Sequence, residues 1–173
     1  PSEEPAMSAI EMQNRKYAPL GEEPSKALDA YPTLPPKVRA FVESAIALCK
    51  PLRVYMCNGS DEEFTALMQV CINAGAAQML NPQKRPNSYI AWSDPMDVAR
   101  SEKDTLICSV QKKDSGPTNN WCDPAKKKSE LSSLFDGCMN GRTMYLIPFS
   151  MGSLDSPFRK IGLEVTDAPF VAA

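Results

Sequence analysis

Apolar residues recur at steps of three and four from residue 36 onward and predict the first helix of the chain. The repeating positions are Val38, Phe41, Val42, Ala45, Ile46 and Cys49. This spacing places the side chains on one face of an amphipathic helix. Pro51 ends the pattern, because a proline inside a helix removes a backbone donor and clashes with the preceding turn. We therefore predict a folded domain over residues 37–173.

The residues before this helix have a different composition. Residues 1–36 contain seven of the sixteen prolines and show no sustained apolar period. Such a stretch is typical of an extended arm with little structure of its own. We predict that residues 1–36 form a weakly ordered N-terminal arm.

Strand and helix patterns alternate over the remainder. Predicted strands cover residues 53–57, 89–92, 105–110, 143–149 and 161–165, and helices start at Ser60, Pro95 and Pro124. Ser60 and Glu63 have the spacing of a capping box. The alternation predicts an α/β fold, with a mixed sheet flanked by helices. The last two strands are joined by a loop alone and fit an antiparallel pair.

The pattern also predicts which aromatic and sulfur side chains are buried. Trp92, Tyr145 and Phe149 lie in strand patterns and are expected in the core, whereas the polar neighbours of Trp121 favour a surface or an interface. Three cysteines also occupy apolar patterns and are expected to be reduced core thiols: Cys49, Cys71 and Cys108.

Composition excludes several classes of site. The chain has no histidine, so zinc sites that need His and Ser-His-Asp or Cys-His catalysis are excluded within these residues. The net charge of −2 argues against a nucleic-acid-binding protein, and the lysines at 126–128 are expected to form a solvated face. No apolar run approaches the roughly 20 residues of a membrane-spanning helix.

Two segments are candidate anion sites. Residues 93–102 follow a predicted strand end, where open α/β sheets bind ligands, and Arg100 offers a planar donor fork for a carboxylate or phosphate. The alternative is an exposed arginine paired with Asp97 or Glu102. The second segment combines residues 141–143 with the loop 149–153, whose backbone amides are candidates for an anion cradle. Its alternative is a plain connecting turn, and it lacks the Walker spacing.

Longer motifs resemble a known family. They are NNWCDP at 119–124, FDGCMNGRTMYLIPFSMG at 135–152, DP at 94–95, DVAR at 97–100, KIG at 160–162 and TD at 166–167. Together they closely resemble the N-terminal region of GTP-dependent phosphoenolpyruvate carboxykinases, over about residues 37–173.

The resemblance implies a lyase of gluconeogenesis. Such an enzyme converts oxaloacetate and GTP into phosphoenolpyruvate, CO2 and GDP through an enolate that is phosphorylated with the help of divalent metals. By motif, Arg100 is the arginine that binds the substrate carboxylate. Glu102 matches the glutamate that contacts the mobile active-site lid when the lid closes.

The resemblance also implies what this chain does not supply. In the family, the groups that bind Mn²⁺, Mg²⁺ and GTP lie further along, beyond the position of Ala173. We therefore expect an incomplete N-terminal substrate domain that is inactive by itself and belongs to a complete enzyme that is monomeric. A cytoplasmic location is expected, with a mitochondrial one left open. The alternative is a truncated, non-catalytic paralogue that acts as a binding or interaction module.

The sequence departs from the family at three positions. Met96 stands where many members have an arginine, which removes a positive charge near Arg100. Ser153 and Asp155 replace the usual proline and glycine of the loop after Gly152. These changes affect the expected local charge and the loop conformation.

Overall fold

A computed structural model describes residues 20–92 and 105–173. The helices are α1 (Pro36–Cys49), α2 (Asp61–Asn73), α3 (Pro124–Phe135) and α4 (Pro169–Ala172), with a 3-10 turn at Lys112–Ser115. The strands are β1 (Arg53–Met56), β2 (Ala77–Met79), β3 (Tyr89–Ala91), β4 (Leu106–Ile107), β5 (Asn120–Trp121), β6 (Thr143–Met151) and β7 (Lys160–Thr166).

The central sheet is mixed. Its order is β1-β6-β7, with β1 parallel to β6 and β6 antiparallel to β7. The predicted α/β fold is therefore confirmed, including the antiparallel pairing of the last two strands. The other four strands form two small ribbons, β2 with β3 and β4 with β5, outside this sheet.

Alternate residues of the sheet point to two apolar clusters, as the two-residue period of a strand requires. On one face, Val54, Met144 and Leu146 pack with Val42 of α1. On the other face, Tyr145 packs with Leu67 of α2 and with Cys57. The sheet thus has helices on both faces.

The first two helices start and end as their sequences predict. Pro36 opens α1, and Lys50 follows its last turn with a φ of 53°. At α2, the Ser60 hydroxyl accepts a hydrogen bond from the Glu63 amide at 3.1 Å. The Glu63 carboxylate accepts from the amides of Asn58 and Gly59, which lie two residues and one residue before the N-cap, whereas the simple motif uses the N-cap amide itself.

Residues 20–35 differ from the predicted weakly ordered arm. Glu22 pairs with Val54 through two backbone hydrogen bonds of 2.9 Å, and Leu28 is buried in the same cluster as α1. The Arg39 guanidinium donates to the carbonyls of Leu28 and Tyr31. Turns that are held by backbone and arginine hydrogen bonds show no periodic apolar pattern. Their packing on the core could therefore not be predicted from the sequence pattern. Residues 1–19 lie outside the described residues.

Three side chains expected in the core are exposed instead. Trp92 is 59% exposed and Phe149 is 43% exposed, and the Cys108 thiol also lies at the surface. Trp92 and Cys108 adjoin β3 and β4, which form narrow ribbons rather than central strands. Phe149 lies beyond the part of β6 that β1 covers. The expected burial of Tyr145, Cys49 and Cys71 is confirmed.

Helix α3 lies at the surface. It starts after Asp123, whose side chain accepts from the Lys126 amide at 2.9 Å, and it contains no buried residue. Lys127 forms an ion pair with Glu130 at 2.8 Å, which fits the predicted solvated face. Among the described residues, no helix combines the length and apolar character needed to cross a membrane.

Candidate functional site

The two residues predicted to act on substrate, Arg100 and Glu102, lie outside the described residues. The structure describes the strands on either side of their segment. Strand β3 ends at Ala91 before it, and β4 begins at Leu106 after it. The roles of Arg100 and Glu102 remain predictions.

The strand before this segment differs from the one that the sequence predicts. Within residues 20–92 and 105–173, strand β3 pairs only with β2, in a two-stranded antiparallel ribbon with Ala77 opposite Ala91. The rule that ligands bind at strand ends in open α/β sheets concerns the parallel strands of a central sheet. That part of the argument for Arg100 is therefore wrong, and the resemblance alone carries the assignment.

The motif at 119–121 binds residues 105–109, the first described residues after Arg100 and Glu102. Strand β5 pairs in parallel with β4, with Ile107 opposite Trp121. The Trp121 indole donates to the Ser109 carbonyl at 2.9 Å, and the Asn120 amide donates to the Thr105 carbonyl at 3.5 Å. These bonds attach residues 105–109 to the start of α3.

Sequence reasoning missed this positioning role and assigned Trp121 only to a surface or an interface. The indole is half-buried and satisfied within the chain. Asn119, Asn120 and Trp121 are three successive residues with side-chain hydrogen-bond donors. This run is the sequence feature from which a positioning role could have been predicted.

The second predicted anion site is not assembled. Residues 141–143 lie at the amino end of β6, and residues 149–153 lie at its other end. At about 3.3 Å per residue, the strand separates them by about 20 Å. Phe149, Ser150 and Met151 are also paired with β7, so the plain connecting turn describes residues 141–143 better than an anion cradle does.

Arg142 has a partner within the chain. Its guanidinium donates to the Asp167 carboxylate at 2.6 Å, just beyond the end of β7. The arginine side chain is 64% exposed, and such a surface pair contributes at most about 1 kcal/mol to stability. This contact holds the two strand ends together and leaves Arg142 without a demonstrated ligand.

A small cavity lies at the carboxyl end of β1, beside the middle of β6. Its volume is about 240 Å³, and its lining includes Cys57, Glu63 and Pro148. Pockets that bind drug-sized ligands usually enclose about 300–1,000 Å³. The Glu63 carboxylate in it accepts backbone hydrogen bonds, and its interaction with the Tyr55 hydroxyl, after burial, raises the pKa of that phenol. These groups stabilise the loop rather than leaving a free acid for chemistry.

The described residues do not form a metal site. Within residues 20–92 and 105–173, no three side chains of the metal-binding types come together. This part of the chain therefore offers no fit to a divalent metal ion.

The comparisons with known proteins identify the class of domain. Residues 40–173 match the phosphoenolpyruvate carboxykinase N-terminal domain. The chain therefore belongs to this family.

Individual relatives are similar over most of this chain. It is 48% identical over 132 residues to the phosphoenolpyruvate carboxykinase (GTP) of Neocallimastix frontalis, covering 76% of this chain and 22% of that protein. The enzyme of the same name from Chlamydia muridarum is 47% identical over 134 residues, covering 78% of this chain and 22% of that protein. The one from Arthrobacter sp. strain FB24 is 47% identical over 146 residues, covering 84% of this chain and 24% of that protein.

The chain thus spans about a quarter or less of the length of the curated relatives it matches. The Arthrobacter alignment is longer than the 137 residues from 37 to 173. It therefore includes residues of the predicted arm, in agreement with the packing of residues 20–35 on the core.

Proposed function

We propose that this chain supplies the substrate-binding segment of a GTP-dependent phosphoenolpyruvate carboxykinase. The reaction converts oxaloacetate and GTP into phosphoenolpyruvate, CO2 and GDP, a step of gluconeogenesis. The observation that carries the proposal is the family match over residues 40–173. The names of the relatives, each a phosphoenolpyruvate carboxykinase (GTP), support the same reaction.

Arg100 binds a substrate carboxylate in this proposal. A guanidinium presents two parallel donors to a carboxylate and stays charged at all working pH values. Support comes from the DVAR motif at 97–100 and from the two ribbons that hold both sides of the segment.

Glu102 contacts a lid that closes over the site, two residues from Arg100. Closure would keep solvent protons away from the reacting carbon. GTP and the Mn²⁺ and Mg²⁺ ions are bound by parts of the complete enzyme that correspond to none of the described residues. We further propose that the complete enzyme is a monomer and works in the cytoplasm.

The test is an Arg100→Ala substitution in the full natural polypeptide. We expect a loss of at least 100-fold in kcat/KM for oxaloacetate, because one carboxylate contact of this kind contributes about 3 kcal/mol. The dissociation constant for GTP should stay within about twofold, because the contact is made to the other substrate. Arg85→Ala is the matched control, since Arg85 is exposed and lies in the β2–β3 loop. An unchanged kcat/KM in Arg100→Ala would overturn the role of Arg100.

A further inference from the structure

Two cysteines far apart in sequence meet at the end of α1. Cys49 is the last residue of that helix and is buried, whereas Cys138 lies in the turn before β6 and is exposed. All six cysteines of the chain are free thiols. This pair has no place in the proposed carboxykinase function.

Backbone contacts on both sides hold the two residues together. The Gly137 amide donates to the Leu48 carbonyl at 2.9 Å, and the Met139 amide donates to the Cys49 carbonyl at 2.9 Å. These bonds bracket Cys138 against the last turn of α1. A backbone contact of this kind fits the Cα separation of roughly 4.4–6.8 Å that disulfides span.

Side chains around the pair strengthen the contact. Lys50, which follows Cys49, and Asp136, which lies two residues before Cys138, form an ion pair at 2.6 Å. Burial first, and then the neighbouring Cys138 side chain, raise the pKa of the Cys49 thiol to about 11. The Cys49 thiol therefore stays protonated at neutral pH, and the exposed Cys138 is the thiol that meets an oxidant first.

We propose that Cys49 and Cys138 form an oxidation site that closes to an intramolecular disulfide when the protein meets a peroxide. The Cys138 thiolate attacks one peroxide oxygen, which gives the Cys138 sulfenic acid and releases hydroxide from hydrogen peroxide. The Cys49 sulfur then attacks the Cys138 sulfur, the S–O bond breaks, and water leaves with the proton of the Cys49 thiol. Two thiols are oxidised and one peroxide is reduced to water.

The crosslink would join the end of α1 to the turn between α3 and β6. The enclosed loop, residues 49–138, contains β1, α2 and both small ribbons. It also contains residues 93–104, where Arg100 lies. A crosslink across a loop of this length acts mainly by restricting the unfolded chain.

The experiment treats the folded chain with hydrogen peroxide, alkylates the remaining thiols, and maps disulfides by mass spectrometry after proteolysis. We expect a peptide pair that joins Cys49 to Cys138, and an intact mass lower by two hydrogen atoms. The pair should be absent when the same oxidation is done in urea, because the two thiols are then no longer held together.

Cys138→Ser should abolish the crosslink, and Cys108→Ser is the matched control, because Cys108 is also exposed and lies outside the pair. Mapping on the unaltered chain keeps the test valid even if a variant folds poorly. The proposal is overturned if Cys138 accumulates as sulfinic acid while Cys49 stays alkylatable. It is also overturned if Cys108→Ser removes the crosslink. Neither result depends on carboxykinase activity.

Discussion

Gly21 is the position where the packing of residues 20–35 on the core can be tested most sharply. Its φ is +103°, and an added Cβ would lie 2.7 Å from the Val54 carbonyl oxygen. The obstructing atom is backbone, so it cannot rotate away. Relief of the clash requires separation of the Glu22–Val54 pair, which is held by two backbone hydrogen bonds.

The expected cost of Gly21→Ala follows from these contacts. Two lost hydrogen bonds contribute about 2 kcal/mol in total, and a side chain at positive φ adds about 1–3 kcal/mol. We therefore expect the free energy of unfolding to fall by about 3–5 kcal/mol. Gly75→Ala is the matched control: its φ is +73°, and an added Cβ meets nothing within 4 Å. It should lose only about 1–2 kcal/mol.

The assay is urea unfolding of the 173-residue chain and both variants, followed by far-ultraviolet circular dichroism. The prediction concerns the difference between the two alanine variants, since both share the backbone penalty of positive φ. Equal losses in Gly21→Ala and Gly75→Ala would refute the close approach of residues 20–35 to β1.

Three further predictions concern single groups. Trp121→Phe removes the hydrogen bond to the Ser109 carbonyl, and thermal unfolding should show a loss of about 1 kcal/mol; an unchanged midpoint would contradict the positioning role. Glu63→Gln replaces an acceptor oxygen beside the Gly59 amide with a donor, and urea unfolding should show a loss of about 1–3 kcal/mol, whereas a gain would refute the assigned hydrogen bonds. Burial, reinforced by the Glu63 charge, raises the pKa of Cys57 from 9.0 to about 12. The unfolded chain therefore loses this proton first, and stability should fall as the pH rises above about 9; a stability that rises there would contradict the burial of Cys57.

Local signals predicted the periodic elements well. The apolar steps of α1, the cap at Ser60 and the glycine after α2 all reflect interactions within a few residues, and the structure confirms them. The alternation of strands and helices was also enough to predict a mixed sheet.

Other features depend on contacts between distant parts of the chain. The packing of Leu28 on α1 and the exposure of Trp92 follow from which strands join the central sheet, and no local pattern encodes that choice. The separation of residues 141–143 from residues 149–153 follows from the full length of β6, which exceeded the predicted strand by two residues.

The candidate site also combines features that local sequence motifs predict with features that depend on contacts between distant residues. The resemblance assigned Arg100 and Glu102 from short motifs, and those assignments remain predictions. The anchoring bond from Trp121 to Ser109 became visible only in the structure. Its donor could have been suspected from the sequence, but its acceptor could not, because the pairing of β4 with β5 is not a local property.

The central proposal is that this chain is part of a GTP-dependent phosphoenolpyruvate carboxykinase. The most direct measurement is phosphoenolpyruvate formation by the native protein, captured from its source with an antibody against residues 37–173. With oxaloacetate, GTP and divalent metal supplied, the account predicts phosphoenolpyruvate that appears only when GTP is present. An intact, folded native protein that forms no phosphoenolpyruvate would contradict the account and would favour a non-catalytic binding module.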